Sequence, residues 1–247
     1  MTAWLQFENV DVPRVVGMVA AIIGLWWITG EATLRGVLKS GDARKINHIA
    51  AFVGLAFCFG WLPSSVARAS AFAVGVVLVT LAIFSCLRAE RWPWRVFVAA
   101  NSRVEDQPHA CLFYWSSWAL SFAALLAVDA WLNDIRVVRL VGMIVGLGDG
   151  LAEPVGKRWG HHRYSGLGWP RGQFSRKSLE GSLAVFLGAV AGVYICEGPE
   201  LQQWLTFAAA ATLVGVAAAI VEALSPRGLD NVTLPFALAL LVGPLFP

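Results

Sequence analysis

The stretch VVRLVGMIVGLGDGLAEPVGKRWG, residues 137–160, decides what kind of chain this is. It opens as an apolar run. Within a few residues it becomes a segment holding Asp149, Glu153, Lys157 and Arg158 among glycines and a proline. Hydrocarbon accepts the first half and rejects the second, because a charge near the bilayer core is costly. The segment therefore reads as a membrane span, 135–152, that ends at a polar face and opens into the longest polar loop of the chain, 153–178.

The rest of the composition agrees. Of 247 residues, 57% are hydrophobic and only 14% charged, against roughly 25% charged in a soluble domain. Mean hydropathy is +0.65. The twelve tryptophans suit the membrane interface, where indole rings are enriched. These features exclude a soluble enzyme and predict an all-α polytopic membrane protein, a bundle of about eight transmembrane helices in one integral-membrane domain over 1–247. The spans are expected at 13–30, 46–62, 67–87, 109–132, 135–152, 179–197, 201–223 and 231–246. The last is interrupted by Pro235 and Pro244. Gly181, Gly188 and Gly192 suit close helix packing in lipid. Residues 88–108 mix Trp92, Trp94, Phe97 and Val98 with four arginines, which fits either an amphipathic interfacial segment or an ordinary basic loop.

Orientation follows from the cations. Fifteen of the nineteen Lys and Arg fall after spans 1, 3, 5 and 7; Arg14, Arg68, Arg136 and Arg139 lie on the other side. The positive-inside rule then puts the odd loops in the cytoplasm and both termini outside a multi-pass cell membrane. Cys58, Cys86, Cys111 and Cys196 sit inside apolar runs without a CxxC pair and read as small core residues rather than a redox or zinc site. Glu8 and Asp11 precede the first apolar run, the reverse of the basic start of a signal peptide.

Four acids lie at the ends of spans on the cytoplasmic side: Asp149, Glu180, Glu222 and Asp230. Such carboxylates are paired or functional. Asp149 and Glu153, four apart, share a face on a helix. Gly148, Gly150 and Gly156 permit close backbone approach to a ligand, and N–H groups exposed in a glycine-rich turn cradle phosphate oxygens. Lys157, Arg158, Arg176 and Lys177 neutralise a polyphosphate, while carboxylates suit Mg²⁺. Two soluble nucleotide motifs are absent: Leu151 stands where a Walker A glycine belongs, and Gly148-Asp149-Gly150 lacks the third glycine of the dinucleotide fingerprint.

Three more clusters accompany the first. In SRKSLEGS, 175–182, Lys177 and Glu180 are three apart, and Ser178 is placed to cap the following helix and leave N–H groups open to anions. VEALSPRGLDNVTLP, 221–235, sets Glu222 at the end of one span and Asp230-Asn231 at the start of the next, with Arg227 the alternative local partner for Asp230. ARKINH, 43–48, brings Lys45 and His48 into span 2.

The ordered set RKINH (44–48), GDGLAEPVGKRWG (148–160), RKSLEGS (176–182) and VEALSPRGLDNVTLP (221–235) resembles the CTP-dependent polyprenol kinases, the family of phytol, farnesol and dolichol kinases. The resemblance covers nearly all of the chain beyond residue 40, and the length is similar to that of the compact phytol and farnesol kinases. It implies transfer of the γ-phosphate of CTP to a membrane prenyl alcohol, giving a prenyl monophosphate. Asp149, Glu180 and Asp230 become the catalytic acids and ligands of Mg²⁺ or another divalent cation, with Asp230 a third ligand or the general base. Gly148, Gly150, Gly156, Lys157, Arg176, Lys177, Ser178 and Asn231, with Lys45 and His48, form the nucleotide site. The expected partners are the lipid alcohol, CTP and membrane lipids, with no nucleic acid. The chain is similar also to the phosphatidate cytidylyltransferases in its GD…GK and K[ST]xEG stretches, but lacks their KD…HGG…DR segment: Arg163 follows His161-His162. An ion-coupled transporter is the third reading; the acids gather at one face rather than near the midplane, which opposes it.

Overall fold

The computed structural model describes residues 10–60, 62–103, 106–166, 175–198, 204–226 and 229–246. Among them the order is α1 (Val12–Leu34), α2 (Ser40–Phe59), α3 (Ser64–Leu87), α4 (Trp94–Asn101), α5 (Ala110–Leu132), α6 (Ile135–Trp159), β1 (Arg163–Gly166), β2 (Ser175–Ser178), α7 (Leu179–Glu197), α8 (Trp204–Leu224) and α9 (Asp230–Leu245). The fold is all-helical apart from one short hairpin. Each of the eight expected spans falls on a helix among the described residues. Five of these, α1, α3, α5, α7 and α8, are long and apolar enough to cross a membrane. The count of eight needs qualification: α9 is apolar but short, while α2 and α6 carry charges along one end that no lipid-facing segment would hold. Leu179, Leu183 and Leu187 form an exposed leucine stripe on α7, as a lipid-facing side requires.

The chain divides into two compact units, Met1–Leu126 and Ala127–Pro247. The first is built on α1 to α4 and most of α5. Trp26, fully buried, meets Phe97, Tyr114 and Trp118 at centroid distances of 6.4, 6.2 and 5.3 Å, the first two edge-to-face, a favoured aromatic geometry. A buried polar network ties three helices together. Asn47 Nδ2 donates to Ala100 O (3.0 Å) and reaches Asn101 Oδ1 (3.4 Å), and Asn47 also pairs with Thr29 Oγ1. Segment 88–108 supplies α4, which inserts Val96, Phe97 and Ala100 into this core. Gly30 makes room for it: a Cβ there would come within 2.7 Å of Val96 Cγ1. The amphipathic stretch is therefore a packed helix.

The second unit is organised by α6 against α7. Asp134 caps α6, accepting from the Arg136 N–H at 2.8 Å. Gly188 and Gly192 let the two backbones meet; a Cβ at Gly188 would lie 2.8 Å from the Leu147 carbonyl carbon and 2.9 Å from Gly148 Cα. This is small-residue packing of the kind lipid-embedded helices use. The expected boundary at 152 is wrong. The α6 helix runs through Pro154 to Trp159, so the first seven residues of the expected loop 153–178 are helix, and the described remainder contains the antiparallel pair β1–β2, with Arg163 opposite Ser178 and Gly166 opposite Ser175. Pro154 faces the carbonyl of residue i−4, which is Gly150; membrane helices absorb such breaks where neighbouring groups take over the freed polar atoms.

Candidate active site

The site forms where the C-terminal end of α6, the strand β2, the end of α8 and the start of α9 supply polar side chains. Because 146–159 is helix, its glycines do not form a phosphate-cradling turn. Gly148 packs: a Cβ there would touch Val185 O at 3.3 Å. Gly156 packs too, its Cβ position lying 2.9 Å from Ser178 Oγ. Gly150 is buried within the same helix. Helical N–H groups are spent on the helix itself, so close helix packing, not ligand approach, accounts for Gly148 and Gly156.

Asp149 is 5% exposed on α6 and Glu222 8% exposed at the end of α8. Asp149 and Asp230, 81 residues apart in sequence, both lie within electrostatic range of Glu222. Lys177 completes the corner: its Nζ is 2.9 Å from Glu222 Oε1, and the two side chains are 14% and 10% exposed. The same ammonium donates to the Glu222 carbonyl and to Ser225 O. A lysine on the last carbonyls of a helix satisfies orphan acceptors and meets the negative end of the helix dipole. Lys177 thus fastens the hairpin to the end of α8. The turn beyond is braced by Ser225 Oγ, 2.6 Å from Val221 O and 2.5 Å from Thr233 Oγ1. Asn231, in the first turn of α9, is buried and its N–H donates to Asp230 Oδ1 at 3.0 Å. Arg227 lies outside the described residues.

Glu180 stands differently. Its Oε1 accepts from the backbone N–H groups of His161 (3.1 Å) and His162 (3.2 Å) and lies 2.9 Å from His162 Nδ1. Lys177 and Glu180 therefore do not face one partner, as their spacing suggested: the lysine belongs to a strand and turns to α8, the acid clasps the end of α6. Ser178 is the N-cap of α7, accepting from Gly181 N at 3.1 Å, and Tyr164 Oη joins Ser182 Oγ at 2.7 Å. Lys157 pairs with Glu153 at 2.9 Å while remaining half exposed, and Arg176 is exposed. Among the described residues no three His, Cys, Asp or Glu side chains stand together as a preformed metal cluster. Lys45 and His48 lie in the first unit; Lys45 is buried there, 3% exposed. Sequence reasoning saw Glu222 as one of four acids but gave it no place in the site. Its partner lies 45 residues away, beyond the reach of any local spacing rule.

The chain is 30% identical over 232 residues, 92% of its length and 89% of the other, to a protein named phytol kinase from Synechocystis sp.. A match of that extent defines the class: the chain belongs to the phytol kinase family of polyprenol kinases. No family model matches the chain, and no solved structure matches it.

Proposed function

We propose that this protein is a CTP-dependent lipid-alcohol kinase that moves the γ-phosphoryl group to the hydroxyl of a membrane prenyl alcohol such as phytol, farnesol or geranylgeraniol. The observation that carries the reading is the convergence of Asp149 and Asp230 on the Lys177–Glu222 pair, in a chain related over nearly its whole length to a phytol kinase. Phosphoryl transfer asks little covalent chemistry of a protein; it asks for positioning and charge neutralisation.

A hard divalent cation suits this donor set. Mg²⁺ prefers oxygen ligands and is commonly held by one or two carboxylates plus substrate phosphates, so a preformed cluster of three acids is not required. Asp149 and Asp230 are the residues assigned to hold it; when bound it would offset the negative charge of the phosphate groups. Asp230 also accepts the alcohol proton as the new O–P bond forms and the bond from Pγ to the leaving CDP oxygen breaks. Lys157 and Arg176, both open to solvent, are assigned to the triphosphate. Lys157 gives up only an exposed ion pair to do so, a small loss. Lys177 and Glu222 are positioning residues, holding the α8–α9 turn and hence Asp230 and Asn231. Glu180 is assigned to fixing the α6–α7 junction rather than to the ion, because its oxygens already accept three hydrogen bonds.

The concentration of cations after the odd spans supports assigning this corner to the cytoplasmic face and both termini to the outside, and the two compact units are read as parts of a single integral-membrane kinase. Purified protein given a prenyl alcohol and CTP labelled at either the α or the γ phosphate tests the reading. Label from γ in a prenyl monophosphate is expected. Label from α in the lipid product would mark a cytidylyltransferase instead, and label from neither would remove both.

A further inference from the structure

The lipid-facing side of α7 ends beside a cation that phosphoryl transfer leaves unused. From Leu179 the exposed positions continue at four-residue steps through Leu183, Leu187, Ala191 and Ile195. Such rows form a continuous ridge on a helix, and this one rises about 24 Å, most of the roughly 30 Å of a hydrocarbon core. It is an unbroken apolar track for acyl chains. Its first residue is joined to the hairpin. The Leu179 N–H donates to His162 O at 3.0 Å, and the exposed Arg163 stands opposite Ser178 in the ladder. Arg163 therefore sits beside the start of the track.

The hairpin turns this cation outward. Side chains alternate along a strand, and the ladder pair Tyr164–Lys177 faces the protein, Tyr164 on Ser182 and Lys177 on Glu222. Arg163 and Arg176 lie on the other side as diagonal neighbours, about 7–8 Å apart, and both are exposed. Arg163 engages only Gly160 O, through Nε at 3.5 Å, and among the described residues neither arginine pairs with a carboxylate. The acids of the flanking helices are taken: Glu153 pairs with Lys157, and Glu180 accepts from the His161 and His162 N–H groups. Trp159, exposed in the last turn of α6, marks the depth, because indole rings gather at headgroup level. A guanidinium fork matches phosphate oxygens. At headgroup depth, beside an apolar track, the phosphate it fits is one that carries acyl chains. A free nucleotide has no tail to lay on the leucines.

We propose that Arg163 and the α7 ridge form a binding site for an anionic phospholipid, its phosphate on the guanidinium and its acyl chains along Leu179, Leu183 and Leu187. The site goes beyond the kinase reading and does not depend on it. Full-length protein is placed in phosphatidylcholine nanodiscs doped with a phosphatidylglycerol that carries a diazirine at the start of one acyl chain. After irradiation the labelled peptides are mapped by mass spectrometry. Labelling concentrated at 179–187 is expected, competed by unlabelled phosphatidylglycerol, weakened by high salt and unchanged by CTP. Arg163→Gln should lower it about fivefold, the weight of one basic residue at an anionic surface, while Arg163→Lys retains most of it. Equal labelling of this segment by a phosphatidylcholine bearing the same diazirine would overturn the proposal, as would unchanged labelling of a folded Arg163→Gln protein. Displacement by CTP would overturn it too, by returning Arg163 to the nucleotide. Should Arg163→Gln fail to fold, the comparison of the two lipid analogues on the unaltered protein decides alone.

Discussion

Two glutamates flank the strand β2 and its lysine, and they live in different worlds. Glu222 is buried at the end of α8, paired with Lys177, within range of two further acids. Glu180 lies just past the strand, its oxygens facing two backbone N–H groups and the exposed His162 ring. Both are charged residues at a helix end. Only the first draws together residues distant in sequence. A helix end alone explains an acid like Glu180, whereas a corner holding the buried Asp149 and Glu222 beside the half-buried Asp230 has a desolvation cost that local helix geometry does not offset. Convergence of distant residues, more than charge alone, distinguishes the corner proposed to carry the chemistry from the clasp around Glu180.

The largest effects are expected where convergence is strongest. Asp149→Asn and Asp230→Asn keep shape and remove charge, and each should lower γ-phosphoryl transfer by on the order of 10³-fold, about 4 kcal/mol in barrier, with detergent-solubilised protein still monodisperse. If Asp230→Asn instead lowered stability while activity per folded molecule held, Asp230 would be a structural partner and the corner would shrink to Asp149. Next is the positioning pair. Lys177→Ala leaves Glu222 without its partner in a setting only 10% exposed and should cost about 3–5 kcal/mol of stability, read as a lower midpoint in thermal unfolding. Lys177→Ala combined with Glu222→Gln should recover part of that loss, because no buried charge then lacks its partner. A loss in the double variant equal to the sum of the two single-variant losses would show that the pair is not coupled.

Smaller again is the packing of α6 on α7. Gly188→Ala forces a methyl against the backbone at Leu147 and Gly148 and should cost about 1–3 kcal/mol, whereas Gly142→Ala, with open space around its Cβ position, should be close to neutral in the same unfolding assay. The smallest effect is expected at the exposed clasp: Glu180→Gln should reduce turnover by no more than about tenfold. Complete inactivation of a folded Glu180→Gln protein would erase the contrast between the two glutamates and return Glu180 to the ion.

How much of this was legible before folding depends on how local each signal is. All eight apolar runs surfaced as helices, five of them long and apolar enough to cross a membrane, because hydropathy over some twenty residues is a property of the segment itself. The continuation of α6 past 152 was hidden, since Gly148, Gly150 and Pro154 are ordinarily helix breakers; it takes the glycine-lined face of α7 to make them packing residues. The hairpin was hidden by the shortness of its strands, four residues each. Asp149, Asp230 and Lys177 were named from the sequence as site residues, yet the sequence offered Lys177 to a phosphate and Glu180 to a metal. Only the fold pairs Lys177 with an acid 45 residues on and hands Glu180 to His161 and His162.

The most direct test of the buried corner reads position rather than turnover. Replacing Mg²⁺ with Fe²⁺ and adding ascorbate and peroxide generates hydroxyl radicals at the bound ion, which cut the nearby backbone. With CTP present, cuts are expected around residues 149, 222 and 230 and should vanish in Asp149→Asn. Cuts clustered at 180 and 161–162, with none at 149 or 230, would contradict the assignment of phosphoryl transfer to this corner.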